Sequence, residues 1–321
     1  MVMAQVIGID LGGTAIKLGR FSADGVCHQS LTVPTPQPAT PEAVLAAITD
    51  AILQLQTPPL LKGVELQTPP LLKGGLGGDR ICAIGIGTPG PADAAGRIAR
   101  VAINLKNWHN VPLADWLEAK TGLPTILAND ANCAGLGEAW LGAGKHFKNL
   151  ILLTLGTGVG GAVILDGKLF SGHLGAAGEL GLISINPDGP ECNSGNHGSL
   201  EQYISVLAIR RDTGLEPLEL ANLAKSGDAK ALEFWRNYGR YLGIGLASLI
   251  YILTPEAIII GGGISAGAEF FLPAVQTEIE RRVLPSSREG LQLLVAELGN
   301  QAGMVGAAKL AWQIALMTVD S

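Results

Sequence analysis

The sequence predicts an α/β fold with two domains, on the basis of three observations. The chain has 321 residues, more than a single hydrophobic core usually serves, so two domains are expected. Short apolar runs typical of buried strands alternate with segments whose apolar residues have helical spacing. A glycine turn between two strands occurs near residue 12, and a similar turn occurs 144 positions later, near residue 156. Both turns have the order strand, Gly/Thr turn, strand, which indicates an internal near-repeat.

Composition narrows the class of protein. Hydrophobic residues make up 47% of the chain and charged residues 16%, as in well-packed globular proteins. The net charge is −6 and no Lys/Arg run is longer than a pair, which argues against nucleic acid or an anionic membrane as a partner. The apolar stretch at residues 241–253 is too short to span a bilayer. Four widely spaced cysteines and the lack of an N-terminal signal pattern favour the cytoplasm.

The first glycine turn follows an apolar strand that ends in an acid. Asp10 is that acid, and Gly12, Gly13 and Thr14 lead into the next strand. Two glycines beside a threonine let the backbone approach a bulky anion, with N–H groups and a hydroxyl as donors. Asp10 is suited to holding a hydrated Mg²⁺, and Lys17 is expected near phosphate. For the motif in isolation, a plain hairpin is an equally good interpretation.

A helix at residues 41–53 is followed by an unusual segment. The nonamer LQTPPLLKG occurs at residues 55–63 and again, unchanged, at residues 66–74. Two short copies are too few for a repeat architecture. With its Pro-Pro pairs and its glycine-rich tail, the segment 55–78 is interpreted as a surface insertion without chemistry, whose Leu-Leu pairs could alternatively pack on a neighbour.

The next strand is expected at residues 81–87 and runs into a Thr-Pro-Gly-Pro turn. Asn104 follows, and it could bond either the loop backbone or a hydroxylated substrate. Trp108 is interpreted as a core residue rather than as a stacking partner for a ligand. Pro112 is expected at the start of a helix.

A strand–helix junction around Asp130 is the candidate centre of the chemistry. The apolar run at residues 124–128 predicts a strand, Asn129 is a good cap, and small residues then predict a helix. Asp130 would therefore face a crevice at the carboxyl end of a strand. The alternative is an aspartate that merely favours a helix N-terminus. Glu138, further along this helix, is expected to be a surface charge.

The second glycine turn follows a strand at residues 150–155 and contains Thr157 and Gly158. A strand, not a helix, comes next, so the turn is not a dinucleotide-binding fingerprint, and no GKS or GKT sequence marks a P-loop. Two such turns facing each other could grip a polyphosphate from both sides.

A third glycine-rich segment follows a wholly apolar strand at residues 257–260. Gly261, Gly262 and Gly263 would allow close approach of a flat ring or a ribose, although tight packing explains one or two of them equally well. Further elements are expected as helices at residues 200–209, 230–253, 268–283 and 304–316 and as a strand at residues 291–296.

Several segments spread over nearly the whole chain carry a family resemblance. They are GIDLGGTAIK, GIGTPGPAD, INLKNWHNVPL, NDANCAGLGEAWLGAG, LTLGTGVGGAVILDGKLFSG, AGELG, GSLEQYIS, IIIGGGIS and GMVGAAKLA. The chain resembles the ROK family of sugar kinases and repressors, and within it the glucokinases. The resemblance implies an actin-like ATPase (ribonuclease-H-like) α/β fold with an interdomain cleft. The small domain would be residues 1–128, joined by a C-terminal helix at about 303–321, and the large domain residues 129–302.

The resemblance also implies the activity, ATP-dependent phosphorylation of glucose at the 6-hydroxyl. Asp130 would be the general base that takes the hydroxyl proton during attack on the γ-phosphorus, a step that relies mainly on placement and charge neutralisation. The implied sugar-binding residues are Asn104, Asn129, Asp130, Glu179 and Glu201. The implied nucleotide-binding residues are Asp10, Gly12, Gly13, Thr14, Lys17, Thr157, Gly158, Gly261, Gly262 and Gly263, with Mg²⁺ held at Asp10 through water. Domain closure would exclude water from the transfer.

The chain departs from the family pattern at its zinc site. The family's sugar- and zinc-binding histidine is replaced by Leu182, and of the three cysteines of the family's CxCGxxGC motif it keeps Cys192, with Ser194 and Ser199 at the other positions. A structural zinc needs four N or S ligands, and this segment offers Cys192 and His197 at most. No structural zinc is therefore predicted.

Two alternatives remain open. The chain could phosphorylate another hexose, namely fructose, mannose or an N-acetylhexosamine, because the lost histidine weakens the argument for glucose. It could also be a non-catalytic sugar sensor, although a sensor has no need of the base Asp130. Repressor members carry a DNA-binding extension before the kinase core, and since the core starts at residue 5 this subclass is disfavoured. By resemblance, a homodimer or homotetramer is expected.

Overall fold

The computed structural model describes residues 4–56, 80–102 and 105–317. The strands in these ranges are β1 Ala4–Leu11, β2 Ala15–Phe21, β3 Cys27–Pro34, β4 Arg80–Thr88, β5 Ala99–Val101, β6 His109–Val111, β7 Thr125–Asn129, β8 Leu150–Leu155, β9 Val159–Leu165, β10 Lys168–Leu169, β11 Ala257–Gly261 and β12 Gln292–Val295. The helices are α1 Pro41–Gln56, α2 Leu113–Thr121, α3 Asp130–Trp140, α4 Glu201–Ile204, α5 Val206–Thr213, α6 Pro217–Lys225, α7 Ala229–Leu253, α8 Ala268–Arg282, α9 Pro285–Arg288 and α10 Ala302–Met317.

Two features predicted from sequence fall at the edges of these ranges. The insertion expected at residues 55–78 begins inside α1, where Leu55 is fully buried because it belongs to the apolar face of that helix. The rest of the insertion, from residue 57 onwards, and Asn104 lie outside the described residues.

The chain divides by its internal contacts into two compact units. The first unit comprises Met1–Leu141, Ser171–Ala177 and Gln301–Ser321, and the second comprises Gly142–Phe170 and Gly178–Asn300. Helix α3, which the resemblance assigns to the large domain, groups with the first unit. The reason is its close packing against α10, because a side chain on Gly137 or Gly306 would overlap backbone of the other helix.

The first unit is built on a five-stranded sheet with strand order β3-β2-β1-β4-β7. Its first three strands are antiparallel, whereas β1, β4 and β7 run parallel. Side chains alternate between the faces of a strand, so Ile7 and Ile9 enter the core shared with α1, and Gly8 between them faces α10. A side chain on Gly8 or Gly85 would overlap the backbone of α10, so these glycines let the helix lie directly on the sheet.

Trp108 lies immediately before β6, in the connection from its antiparallel partner β5. It is 1% exposed and donates its indole N–H to the Ala39 carbonyl at 2.9 Å. The prediction that Trp108 is a core residue is therefore confirmed.

The second unit contains a five-stranded sheet with strand order β10-β9-β8-β11-β12. The long helix α7 and its neighbour α8 contribute Trp235, Tyr238 and Phe271 to its core. The helix expected at residues 200–209 is interrupted at Ser205, whose extended backbone ends α4 and whose hydroxyl caps α5. No described helix, α7 included, is long and apolar enough to cross a membrane.

Candidate active site

Asp130 is fixed at the point where β7 ends and α3 begins. Asn129 is the N-cap, and its amide oxygen accepts hydrogen bonds from the backbone N–H groups of Ala131 at 2.9 Å and Asn132 at 3.3 Å. This confirms the cap predicted from sequence, and it satisfies two of the donors that a helix start leaves free. The Asp130 carboxylate accepts from Ala131 N–H at 2.7 Å, and its side chain is exposed. A rigid junction thus presents an accessible carboxylate.

The environment of Asp130 makes it a better proton acceptor than an ordinary aspartate. Although the side chain can be reached by solvent, surrounding protein atoms desolvate the carboxyl, and this burial raises the pKa of Asp130 above its ordinary value. The hydrogen bond from Ala131 opposes the rise, and the negative charge of Asp10 adds to it. A carboxylate of raised pKa has a stronger affinity for the proton that a hydroxyl gives up during attack.

A glycine separates the strand that carries Asp10 from the helix that carries Asp130. Asp10 pairs with Gly87 across β1 and β4, and a side chain built on Gly87 would come within 3.2 Å of the Cys133 sulfur and 3.6 Å of the Asp130 Cα. Burial raises the pKa of the Cys133 thiol well above its ordinary value, and the charges of both aspartates act in the same direction. Cys133 therefore stays a neutral thiol beside two carboxylates.

Sequence reasoning assigned no role to Gly87 or Cys133. The available signals were the position of Cys133 one helical turn after Asp130 and of Gly87 at the carboxyl end of a parallel strand.

Asp10 is held from two sides within the first unit. Lys17 lies opposite on β2 and its Nζ is 3.3 Å from the Asp10 carboxylate. Gly303 lies in the first turn of α10, where a side chain would come within 3.1 Å of the Asp10 Cγ. The positive end of the helix dipole therefore favours the Asp10 charge. Gly303 was not singled out from sequence, because its neighbour Asp10 is almost the whole chain away.

The first glycine turn is closed by a backbone hydrogen bond from Gly12 N–H to the Ala15 carbonyl at 3.0 Å. Thr35, just after the end of β3, supports it, since its hydroxyl donates to the Gly12 carbonyl at 2.6 Å. The amide of Gln37 donates to the Gly13 carbonyl at 3.4 Å. Thr14 is exposed at the tip, which leaves its hydroxyl accessible to a ligand.

The second glycine turn, in the second unit, is also closed by a backbone hydrogen bond, but it is one residue shorter. Gly156 N–H donates to the Gly158 carbonyl at 3.0 Å, and Thr157 is exposed at the tip. The Glu201 carboxylate accepts from Val159 N–H at 2.8 Å. The predicted sugar-binding residue Glu201 therefore contacts the predicted phosphate-binding turn directly.

The triple glycine segment lies beside this second turn. Gly261 pairs with Thr154 across β11 and β8, and a side chain on Gly262 would overlap the backbone of Leu155. Gly262 also has φ +85°, a conformation that favours glycine. Packing therefore explains Gly262. A side chain at Gly263, by contrast, would have no neighbouring atom within 4 Å, so this glycine borders open space.

The remaining predicted sugar ligand, Glu179, is exposed and precedes a short 3₁₀ turn, in which Leu182 N–H donates to the Glu179 carbonyl at 3.1 Å. Glu138, expected at the surface, is fully buried instead. The expectation was wrong because α10, β4 and β7 all pack against α3 and cover most of it.

The segment that corresponds to the family's zinc motif is held by hydrogen bonds within the loop. Cys192 N–H donates to the Asn196 carbonyl at 2.7 Å, and Ser184 donates its hydroxyl to the His197 carbonyl at 2.8 Å. Burial works to raise the pKa of Cys192, but hydrogen bonds involving Ser194 and Ser199 outweigh it and lower the pKa below its ordinary value. Within the described ranges, no group of three or more His, Cys, Asp or Glu side chains is arranged to hold a metal ion.

Each unit thus brings together part of the predicted site. The first unit places the exposed carboxylate of Asp130 near Asp10, whose strand leads into the first turn. The second unit places Glu201 and Gly262 against the second turn. A glycine turn with an exposed hydroxyl at its tip suits phosphate, and a fixed, partly desolvated carboxylate suits proton transfer.

Comparison with known proteins identifies the family. Residues 76–314 match the ROK family. A glucokinase of Streptomyces coelicolor is 34% identical over 333 aligned positions, which cover 96% of this chain and 98% of that protein. A glucokinase of Thermotoga maritima is 33% identical, and the alignment covers 97% of this chain and 98% of that protein.

Solved structures agree with this assignment. A ROK family glucokinase from Streptomyces griseus, in complex with glucose and AMPPNP, superposes with a TM-score of 0.74 at 34% identity, covering 96% of this chain and 99% of that one. A ROK family transcriptional regulator superposes with a TM-score of 0.82 at 26% identity, covering 99% and 81%. The chain therefore belongs to the ROK family, where it is similar to the glucokinases among the sugar kinases, and it has the two-domain actin-like ATPase fold of that family.

Proposed function

We propose that the protein is a glucokinase, which transfers the γ-phosphoryl group of ATP to the 6-hydroxyl of glucose. The observation that carries this proposal is the geometry of Asp130, an exposed carboxylate fixed by a capped strand–helix junction, with a raised pKa. A sugar-binding regulator gains nothing from such a base. Glucose and ATP are the substrates suggested by relatives named glucokinase and by the one solved with glucose and AMPPNP.

In the proposed reaction the 6-hydroxyl oxygen attacks the γ-phosphorus while Asp130 accepts the hydroxyl proton. The new O–P bond forms as the bond from the γ-phosphorus to the bridging oxygen breaks, and ADP leaves with that electron pair. Most of the catalytic effect in this chemistry comes from positioning and charge neutralisation. Asn129 serves twice in this scheme, as the cap that orients Asp130 and as a sugar ligand together with Asn104, Glu179 and Glu201.

The two glycine turns are the proposed phosphate sites. Thr14 and Thr157 would donate hydroxyl hydrogen bonds, with the backbone N–H groups of Gly13 and Gly158 beside them. The Gly12 N–H closes the first turn, and Gly12 would contribute by letting the backbone come close to phosphate. Lys17 would supply positive charge to the first turn, and Gly261–Gly263 would border the nucleoside.

Mg²⁺ fits the residues around Asp10. This cation prefers oxygen ligands, keeps several waters, and is usually held by one or two carboxylates plus substrate phosphates. The Asp10 carboxylate is partly exposed and has Asp130 as a second acid nearby. When bound with the nucleotide, Mg²⁺ would neutralise phosphate charge, and Asp10 would orient it through water.

The test is a coupled ADP-release assay with ATP and a panel of glucose, fructose, mannose and N-acetylhexosamines. The proposal expects the highest kcat/KM with glucose. A higher kcat/KM for another hexose would make that hexose the substrate, and the protein would still be an ATP-dependent sugar kinase. Sugar binding in calorimetry without phosphorylation of any sugar, with ATP or polyphosphate as donor, would establish the sensor alternative and refute the kinase.

A further inference from the structure

We propose that Glu201 is a positioning residue that couples sugar binding to the second phosphate turn, so that glucose and nucleotide strengthen each other's binding. This inference rests on the proposed function and adds to it, because there Glu201 is one of several sugar ligands. The observation behind it is that the Glu201 carboxylate already binds the turn: its Oε2 atom accepts from Val159 N–H at 2.8 Å.

The backbone around Glu201 is anchored, so its side chain can transmit a displacement. Leu200, immediately before it, is fully buried, and its N–H donates to the Ile183 carbonyl at 2.9 Å. Beyond α4, Val206 N–H donates to the Gly156 carbonyl at 2.8 Å. Residues 201–206 therefore contact the turn at both of its ends, once through a side chain and once through the backbone.

The carboxylate has capacity for two partners at once. An ionised glutamate accepts hydrogen bonds at both oxygens. Oε2 is used by the turn, whereas Oε1 makes no hydrogen bond or ion pair with the described residues, and the side chain is half-buried. A sugar hydroxyl that donates to Oε1 would thereby restrict the carboxylate that holds Val159. A nucleotide phosphate that orders the turn would restrict the same carboxylate from the other side.

Gly158 shows how closely the two parts fit. Its φ is not in the left-handed region, so its conformation does not require glycine. A side chain at this position would instead come within 2.6 Å of Glu201 Oε2. Because that atom is the end of a flexible side chain, the Gly158→Ala change is expected to displace the carboxylate and leave the strands in place.

The expected behaviour is reciprocal. If glucose raises the affinity for nucleotide by some factor, nucleotide must raise the affinity for glucose by the same factor. Couplings between two sites commonly reach about 5-fold or more. The structure assigns a large share of this coupling to the contact between Glu201 and Val159.

The experiment measures the Kd of AMPPNP by calorimetry with and without saturating glucose, and the Kd of glucose with and without AMPPNP. In the unmodified protein we expect each ligand to tighten the other about 5-fold or more. In Glu201→Gln the ratio should fall towards one, because an amide has a single oxygen, and its NH₂ group cannot accept the second hydrogen bond. Gly158→Ala should lower the ratio as well, and it should weaken glucose binding from a position assigned to the phosphate site.

The control is Glu233→Gln, an exposed glutamate on α7 in the same unit, which should keep the unmodified coupling. Thermal melts establish that each variant folds. A purely structural role for Glu201 predicts a lower melting temperature with the coupling ratio unchanged, and that result would overturn the inference. Should Gly158→Ala fail to fold, Glu201→Gln decides alone.

Failure of the inference and failure of the proposed function give different results. Independent binding of glucose and AMPPNP by an active kinase overturns the coupling and leaves the function intact. Absence of phosphorylation with every sugar refutes the function, whatever the binding ratios are.

Discussion

The two five-stranded sheets have the same arrangement of strands, but different residues follow the carboxyl ends of their parallel strands. In each, a hairpin of two antiparallel strands carries a Gly/Thr turn, a third antiparallel strand forms one edge, and two parallel strands complete the other side. Thus β1, β2, β3, β4 and β7 correspond in order to β8, β9, β10, β11 and β12. The near-repeat suggested by the two glycine turns extends to whole sheets.

The difference lies at the carboxyl ends of the two parallel strands. In the first sheet the last strand runs directly into a capped helix with Asp130 as its first residue. In the second sheet the last strand, β12, leads into an irregular segment that contains Glu297, and the strand before it ends in the triple glycine. The first sheet therefore presents a fixed acid and the second presents open backbone, as expected if the first supplies the base and the second borders the nucleoside.

The two turns are also supported by different groups. A hydroxyl and an amide donate to carbonyls of the first turn, and the Asp10–Lys17 ion pair joins the two strands that flank it. The strand before the second turn ends in Thr154 and Leu155 rather than in an acid, and this turn receives Glu201 from another segment. The two hairpins are thus similar, but the side chains that hold their turns come from different segments.

The largest expected effect tests whether the chemistry belongs to the first sheet alone. Asp130→Asn keeps the shape of the junction but removes the proton acceptor, and general base catalysis commonly contributes about 10²–10⁴-fold. We expect kcat in the ADP-release assay to fall by that amount while glucose binding in calorimetry persists. Glu297→Gln, its counterpart after β12, should retain nearly full kcat. Equal losses in both variants would contradict the division of roles.

The second prediction tests whether the two turns act alike. A hydrogen bond to a charged group contributes about 1.5–3 kcal/mol, so Thr14→Val and Thr157→Val should each raise the KM for ATP about tenfold or more. The KM for glucose should change less in both. Initial rates at varied ATP measure this. If one variant is indistinguishable from the unmodified protein, the two turns do not share the phosphates.

The third prediction concerns pH. Burial raises the pKa of Asp130, so the acid limb of kcat/KM should lie at higher pH than for an ordinary aspartate. The same shift has a consequence for folding. A raised pKa means that the folded state binds this proton more tightly than the unfolded state, so the ionised carboxylate disfavours folding at neutral pH. Asp130→Asn should therefore melt at an equal or higher temperature at pH 7.

The difference in melting temperature between Asp130→Asn and the unmodified protein should disappear as the pH falls through the ordinary pKa range of aspartate. Below that range Asp130 is protonated in both the folded and the unfolded state. Thermal melts of the two proteins across pH measure it. A melting temperature of Asp130→Asn below that of the unmodified protein at pH 7, with no dependence on pH, would contradict the assignment.

The smallest expected effect concerns the loop around Cys192. Because hydrogen bonds such as Cys192 N–H to the Asn196 carbonyl hold it, removal of metal with EDTA should leave the melting temperature unchanged. Added Mg²⁺ should then restore activity. Elemental analysis that finds one zinc ion per chain would show that the loop retains the family's metal by other ligands.

Local signals predicted the hairpins, the Asn129 cap and the strand before Asp130, because each depends on residues adjacent in sequence. The sequence did not predict the break at Ser205, because a serine can either cap a new helix or lie inside a continuous one, and the local sequence does not distinguish the two. Glu138 was predicted at the surface but is buried, because the helix that packs on α3, α10, comes from the far end of the sequence. The Glu201–Val159 contact likewise joins residues 42 apart in sequence. Contacts of this kind are set by tertiary packing, which neither propensity nor periodicity encodes.

The position of α10 has a consequence for biosynthesis. This helix covers Gly8 and Gly85 of the first sheet, yet the ribosome makes it after every residue of the second unit. Until then α3 is the helix that contacts this face, at β4 and β7, and the part of the sheet that α10 covers stays exposed. Exposed apolar surface of an incompletely folded chain is prone to aggregate. The segments of the second unit are complete earlier, so this unit can finish folding before the N-terminal sheet receives α10.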